Sequence, residues 1–263
     1  MDKNHIYTKT MVRFYDLMYE RILDKSNKEF YLNEISKANG QVLEIGTGTG
    51  RIFLPALESG ADIYGIDISD NMQKYLKNKL DSKEHYRLIF ADMRDFKLER
   101  KFNLIIAPFR MFSHMLTIDD QLSALKCVKE HLVDNGRFIF DVFLPNLELI
   151  NKGNDYSLIF EGEYEPGKCV KRYESAGPDY INQLQHVLFK YEWEEHDGLH
   201  NESIEFPFRY FFRYELEHLI ARSGLKLEKM CGDFEYNDFG PQSKNMCVFV
   251  QNLSEFGFSG LSQ

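Results

Sequence analysis

The chain has 263 residues, 43% hydrophobic and 14% aromatic, enough to bury one main core with an added subdomain. Its 32 basic and 41 acidic side chains leave a formal charge of −9, a field that repels nucleic-acid backbones and anionic membrane surfaces and favours small-molecule or peptide partners. The opening stretch MDKNHIYTKTMVRFYD holds no apolar run of signal-peptide length, and no run of about 18 uncharged apolar residues occurs anywhere, so a soluble, cytoplasmic protein is expected.

Before residue 41, Phe14, Leu17, Met18 and Ile22 fall at helical spacing and predict one or two helices. From there the pattern alternates strand and helix. QVLEI (41–45) reads as a first strand, followed by a helix over about 50–59 that stops at Gly60. DIYGID (62–67) is the second strand, and a helix over 69–80 opens on Ser69 or Asp70 as its cap. YRLIFAD (86–92) and FNLIIAPF (102–109) are the third and fourth strands. The helix over 119–132 sets Leu122, Leu125, Val128 and Leu132 on one face, and Asp134, Asn135 and Gly136 turn the chain into a fifth strand, 137–143.

After Pro145 the rhythm becomes antiparallel, with strands over 155–163, 168–175, 180–196 and 200–212 and turns at Pro166-Gly167, Gly177-Pro178-Asp179 and Asp197-Gly198. Val187, Phe189, Tyr191 and Trp193 share one face at period two while Lys190, Glu192 and Glu194 share the other, so one side of this sheet is covered. A helix over 213–224 and strands over about 225–234 and 245–251 close the chain, and a loose tail follows Leu253. The four cysteines, Cys127, Cys169, Cys231 and Cys247, form no C-x-x-C pair, which predicts reduced thiols and no metal site; Cys231 and Cys247 are placed to face one another on neighbouring strands.

The stretch VLEIGTGTG (42–50) is the most informative. Gly46, Gly48 and Gly50 follow a buried strand, where glycine permits positive φ and close approach of backbone to a ligand. The spacing is G-x-G-x-G, not the G-x-G-x-x-G of a dinucleotide loop, and Glu44 stands two residues before the first glycine. An acid there repels a diphosphate and attracts a cation.

These residues resemble the first motif of class I S-adenosylmethionine (SAM)-dependent methyltransferases of the bacterial small-molecule type. Three further markers agree: Asp67, 21 residues after Gly46; Ala91-Asp92-Met93 after the third strand; and the strand NGRFIFDVF after a helix. The resemblance implies an α/β fold with a Rossmann-like seven-stranded sheet, mostly parallel with its last strand antiparallel and flanked by helices, and an antiparallel β subdomain inserted after strand five. It implies a helical lid over 1–40, a SAM-binding domain over 41–145 and 213–253, and a substrate subdomain over 146–212. The loop with Gly46, Thr47, Gly48 and Gly50 would wrap the methionine part of SAM, with Glu44 near its amino group. Asp67 would grip the ribose through charged hydrogen bonds, Asp92 and Met93 would meet the adenine, and Ile68, Met72, Ala107 and Pro108 would complete the wall. S-adenosylhomocysteine (SAH) is then the product.

Methyl transfer is an in-line displacement, so the enzyme's main work is to align the reactants and exclude water. Catalytic markers are accordingly faint. His114 is a candidate proton acceptor, and Tyr15, which shares a helix face with Tyr19, belongs to the lid over the cofactor and is a second catalytic candidate. Tyr19, Arg110, Phe112 and His114 are the candidate acceptor contacts, and Phe160, Tyr164, Tyr191, Trp193, Phe208 and Tyr210 form an aromatic face that suits a dome. The expected reaction is methylation of N or O on a small metabolite or modified peptide, with a mild preference for a cationic amine. A homodimer is left open. The alternatives are a catalytically silent SAM-binding protein, an NAD-dependent oxidoreductase, which the glycine spacing disfavours, and an RNA methyltransferase. Against the nucleic-acid readings, APFR after strand four lacks the Asn/Asp/Ser-Pro-Pro-aromatic motif that holds a flipped base.

Overall fold

The computed structural model describes residues 6–22 and 25–253. The short apolar runs become central strands: β1 (Val42–Ile45) and β2 (Ile63–Asp67) are buried at every position, as strands covered on both faces must be. β3 (Leu88–Phe90), β4 (Phe102–Ala107) and β5 (Leu132–Phe143) join them in parallel. A separate meander, β6 (Asn154–Glu165), β7 (Lys168–Asp179), β8 (Leu184–Glu195) and β9 (Gly198–Arg209), is antiparallel throughout. β10 (Lys226–Cys231) and β11 (Asn245–Gln251) then complete a seven-stranded main sheet in the order β10-β11-β5-β4-β1-β2-β3, with β11 antiparallel to both neighbours. Winding leaves β1 toward β2 on one side and resumes with β4 on the other. The connections therefore diverge over the carboxyl ends of β1 and β4, where an α/β sheet opens a crevice.

The helices are α1 (Lys9–Ile22), α2 (Lys25–Ser36), α3 (Phe53–Glu58), α4 (Asp70–Lys79), α5 (Ile118–His131), α6 (Leu147–Lys152) and α7 (Arg213–Arg222). Ser69 caps α4 by accepting from the Met72 N–H, and Thr117 caps α5 by accepting from Asp120. None of the described helices is long and apolar enough to cross a membrane. The inner face of the four-stranded sheet carries Val187, Phe189 and Tyr191, all buried against Met11, Phe14 and Met18 of α1. One amphipathic helix thus covers the sheet that would otherwise expose an aromatic stripe.

Several boundaries differ from the sequence reading, each for a local reason. α3 begins at Phe53 rather than near residue 50 because Gly50 still has φ +91°, incompatible with a helix. Tyr86 and Arg87 belong to a helical turn over Ser82–Arg87, which shortens β3. Leu132 leaves the helix face assigned to it and starts β5; Asp134–Gly136 lies inside that strand, where Asn135 takes φ +59° and pairing slips from Phe102↔Leu132 to Leu104↔Arg137. Gly177-Pro178-Asp179 is strand rather than turn. Pairing of β7 with β6 stops at Ala176, so the missing Pro178 N–H falls on a free edge, and the chain reverses at 180–183 instead, with Gln183 at φ +54°. α6 has no counterpart in the sequence reading. Cys231 and Cys247 do face one another across β10 and β11, as buried free thiols. The expected loose tail falls on 254–263, outside the described residues.

Candidate functional site

A cavity lies over the ends of β1, β2 and β4. Its wall includes Tyr15, Glu44, Gly46, Thr47, Gly48, Asp67, Ile68, Met72, Asp92, Met93, Pro108 and His114, so most residues singled out in the sequence converge here. A second, open hollow shares Tyr15, Thr49 and Arg51 with the first, and Tyr19 and Gly50 line that one. Ala107 is fully buried at the end of β4, off the cavity wall. Phe112 corrects the sequence reading: it is fully buried between Phe140 and Phe211, at 4.8 and 5.5 Å between ring centroids, and faces the core rather than the crevice.

The three glycines do different work. All have positive φ, but a Cβ on Gly46 would come within 2.4 Å of Met111 Sδ, and one on Gly50 within 2.4 Å of Leu76 Cδ1, whereas one on Gly48 would meet nothing within 4 Å. Gly46 and Gly50 are required by packing and conformation; Gly48 keeps backbone open on the cavity side. Gly50→Ala is therefore expected to lower folding stability by roughly 2–4 kcal/mol, from left-handed strain plus overpacking against Leu54 and Leu76. Gly48→Ala should lose only about 1–2 kcal/mol, the left-handed term alone. Urea denaturation of the two variants measures the contrast, and equal losses would contradict this division.

Asp67 closes β2 at 8% exposure and is held by backbone: Oδ2 accepts from the Gly48 N–H and Oδ1 from the Ser69 N–H, both at 2.8 Å. Burial pushes its carboxyl up to about 6, partly opposed by those hydrogen bonds. Glu44 is 2% exposed, and burial likewise holds its carboxyl well above the usual range, Arg51 opposing and Asp67 adding to the shift. Glu44 Oε2, Thr47 Oγ1 and Thr49 Oγ1 are buried with no hydrogen-bond partner among the described residues. Unpaired buried polar atoms cost about 1–3 kcal/mol each. Three of them around one glycine loop, one on a carboxyl, fit a ligand that brings hydrogen-bond donors and positive charge.

Asp92 lines the cavity, but its carboxylate is gripped by the Arg94 side chain, which also reaches Asp120 at 2.6 Å, while its neighbour Met93 is buried on the wall. The Tyr15 and Tyr19 rings pack at a tilt of 42° with centroids 4.2 Å apart, and Tyr19 meets Phe109 edge-on at 5.4 Å. His114 sits where three parts of the chain meet. Its Nε2 is 3.1 Å from the Tyr7 hydroxyl, and its ring lies 5.2 Å from Phe208 and 6.3 Å from Phe206, both on β9. In the tautomer with bare Nε2, the Tyr7 hydroxyl donates to it, and burial raises that phenol above the ordinary tyrosine range. The aromatic stripe of the inserted sheet divides accordingly. Tyr164, Tyr191 and Trp193 pack on Phe14 of α1, Phe160 and Tyr210 are buried, and Phe208 reaches the site.

Sequence reasoning missed Tyr7 and, more consequentially, Asp141. Phe109 and Arg110, directly after β4, are consecutive non-glycine residues at φ +62° and +60°. Asp141, 1% exposed near the end of β5, holds them: Oδ1 accepts from the Phe109 N–H at 2.8 Å and from the Tyr31 hydroxyl at 2.6 Å, and Oδ2 accepts from the Arg110 N–H at 3.1 Å. Phe109 is thereby set on the cavity wall. The available signal was a lone acid within the apolar run RFIFDVF; a buried carboxylate demands partners.

A family model described as a methyltransferase domain matches residues 42–136. YqeM of Bacillus subtilis (strain 168), a candidate methyltransferase, is 22% identical over 224 residues, covering 81% of this chain and 84% of that protein. A SAM-dependent methyltransferase from Clostridium acetobutylicum superposes with a TM-score of 0.77 at 18% identity, over 93% of this chain and 98% of that one. The sugar N-methyltransferase KedS8 from a Streptoalloteichus species superposes with a TM-score of 0.74 at 19% identity, over 92% and 93%. At these identities the two structures are alike in fold.

Proposed function

We propose, from the premise that this chain is a class I SAM-dependent methyltransferase, that it methylates an amine nitrogen of a small acceptor held between the crevice and the four-stranded sheet. SAM, when bound, supplies an electrophilic methyl group on a sulfonium. On this reading the backbone over 46–50 and Glu44 hold the amino-acid part, Asp67 the ribose, and Ile68, Met72, Met93 and Pro108 the remainder. The unpartnered oxygens of Glu44, Thr47 and Thr49 support that assignment. Residues 1–40 act as the lid, 41–145 and 213–253 as the cofactor domain, and 146–212 as the acceptor subdomain; a cytoplasmic setting suits the free thiols.

The observation that carries the acceptor reading is the placement of His114, on the cavity wall and against Phe206 and Phe208 of the inserted sheet. An acceptor lying beside the reactive end of the crevice would touch it. An amine arrives protonated at neutral pH and must lose a proton before its lone pair can attack, and the imidazole can take that proton. That KedS8 is a sugar N-methyltransferase of the same fold favours nitrogen over oxygen.

The test uses labelled SAM and a panel of primary and secondary amines and alcohols. Transfer to amines is expected, and His114→Gln should lower kcat by about 10²-fold or more with SAH affinity unchanged. SAH binding without transfer to any amine would leave a silent cofactor-binding protein, and salt-sensitive RNA binding would point to the RNA reading.

A further inference from the structure

The wall of the cavity over β1, β2 and β4 is acidic: among the described residues it carries Glu44, Asp67 and Asp92 against one lysine or arginine, Arg51. Two of those acids already have partners, Asp67 in the Gly48 and Ser69 N–H groups and Asp92 in the Arg94 side chain. Glu44 and Arg51 do not close on each other. The positive charge of Arg51 acts on Glu44, yet the two form no ion pair, and Glu44 Oε2 keeps no hydrogen-bond partner among the described residues.

Arg51 is held from two other sides. Its Nη2 donates to Asn27 Oδ1 of α2 at 2.5 Å, and its guanidinium carbon lies 5.0 Å from the centre of the Phe109 ring, whose backbone Asp141 fixes. A guanidinium carries five N–H donors, and this is the one hydrogen bond that Arg51 makes among the described residues. Arg51 lines both the cavity and the open hollow beside it, as does Thr49, whose hydroxyl is buried and unpartnered. Lys25, Lys28 and Lys79 line the open hollow alone, and Lys79 is paired with Asp16 at 2.5 Å. One end of the cavity thus presents a buried carboxyl, a fixed guanidinium and a bare hydroxyl around a single glycine loop. A ring-stacked guanidinium keeps its in-plane edge for a carboxylate, and a threonine hydroxyl can donate to the same group. A ligand bearing an ammonium alone would match Glu44 and leave Arg51 facing a like charge; an α-amino acid zwitterion matches both.

We infer that Arg51 holds the α-carboxylate of the cofactor's amino-acid end, beside the Thr49 hydroxyl, while Glu44 takes the ammonium, so that the site selects SAM against its decarboxylated form. This rests on the cofactor reading above, which assigned no cation to that carboxylate, and makes Arg51 a residue that determines cofactor specificity.

The experiment compares, by calorimetry, SAH with decarboxylated SAH, which keeps the amine, the thioether and the nucleoside. The wild-type protein is expected to favour SAH by roughly tenfold or more, the worth of a hydrogen bond between charged groups. Arg51→Met should bring the two ligands to near-equal affinity by weakening SAH, and should bind decarboxylated SAH at least as tightly as the wild type does, since the guanidinium repels an unaccompanied ammonium. That second titration also shows the pocket to be intact. Arg51→Lys should retain part of the preference, because the charge survives without the fork. Equal affinity of the wild-type protein for the two ligands would overturn the inference, as would a preference for SAH that survives in Arg51→Met, which would move the carboxylate to Lys25 or Lys28. Equal weakening of both ligands in Arg51→Met would also overturn it, marking Arg51 as a packing residue. Failure of SAH to bind the wild-type protein at all would remove the cofactor reading itself, and the inference with it.

Discussion

Asp141→Ala should destabilise the protein by about 3 kcal/mol or more, among the largest effects of any single polar substitution in it. The carboxylate accepts three hydrogen bonds at 1% exposure, and its loss strands the Tyr31 hydroxyl, itself fully buried. It also releases the two N–H groups that keep Phe109 and Arg110 left-handed, a conformation costing roughly 1–2 kcal/mol per residue that the surrounding structure must over-determine. The effect should therefore appear twice. Urea denaturation would show the stability loss, and calorimetry would show weaker SAH binding because Phe109 leaves the cavity wall. Asp141→Asn retains one accepting oxygen for Phe109 or Tyr31 and should lose about half as much. A stability change within about 0.5 kcal/mol, the ordinary range for surface substitutions, would show that the carboxylate does not hold this corner.

Asp67 should give opposite signs in two assays. Replacement by Ala is expected to weaken SAH binding by about 1.5–3 kcal/mol, the worth of hydrogen bonds to a charged acceptor. In the ligand-free protein, burial raises the carboxyl from 3.8 to about 6. The folded chain then keeps its proton to higher pH than the unfolded chain, so stability falls as pH rises between those values and the ionised group destabilises the fold above them, by on the order of 3 kcal/mol. Asp67→Asn should remove this pH dependence and weaken cofactor binding, and its amide, with one accepting oxygen, can no longer serve both the Gly48 and Ser69 N–H groups. On the ribose assignment proposed above, in which the ionised form accepts the hydroxyls, SAH affinity should drop as pH falls through about 6 in the wild type. Tyr7 and Glu44 face Asp67 as well. Tyr7 stays protonated throughout, and Glu44 titrates in the same sense, so the Asp67→Asn profile isolates the Asp67 part. Identical pH profiles for wild type and Asp67→Asn would remove the ribose assignment.

How much of this was legible beforehand depended on the range of the interaction. The strands at 42–45, 63–67 and 102–107 were readable because each is a continuous apolar run bounded by turn residues, and the glycine loop was readable because its spacing is local. Boundaries failed where pairing overrode local signals. Pro178 reads as a turn former, yet β7 runs through it because the proline falls beyond the last partner on β6. Phe112 was taken for an acceptor contact because it follows strand four; a single turn over Met111–His114 rotates it inward and leaves His114 facing the cavity.

The sequence by itself determined the class of sheet, the order of its elements, the glycine crevice and the acid that closes β2, since all of these are written in short-range periodicity and spacing. Only the tertiary structure decided what surrounds them. It brought Tyr7 to His114 across 107 positions, Tyr31 to Asp141 across 110, and Tyr19 to Arg172 across 153. The physical reason is that hydrogen bonds and buried charge are satisfied in space, and no local pattern records which distant partner a buried polar group will find.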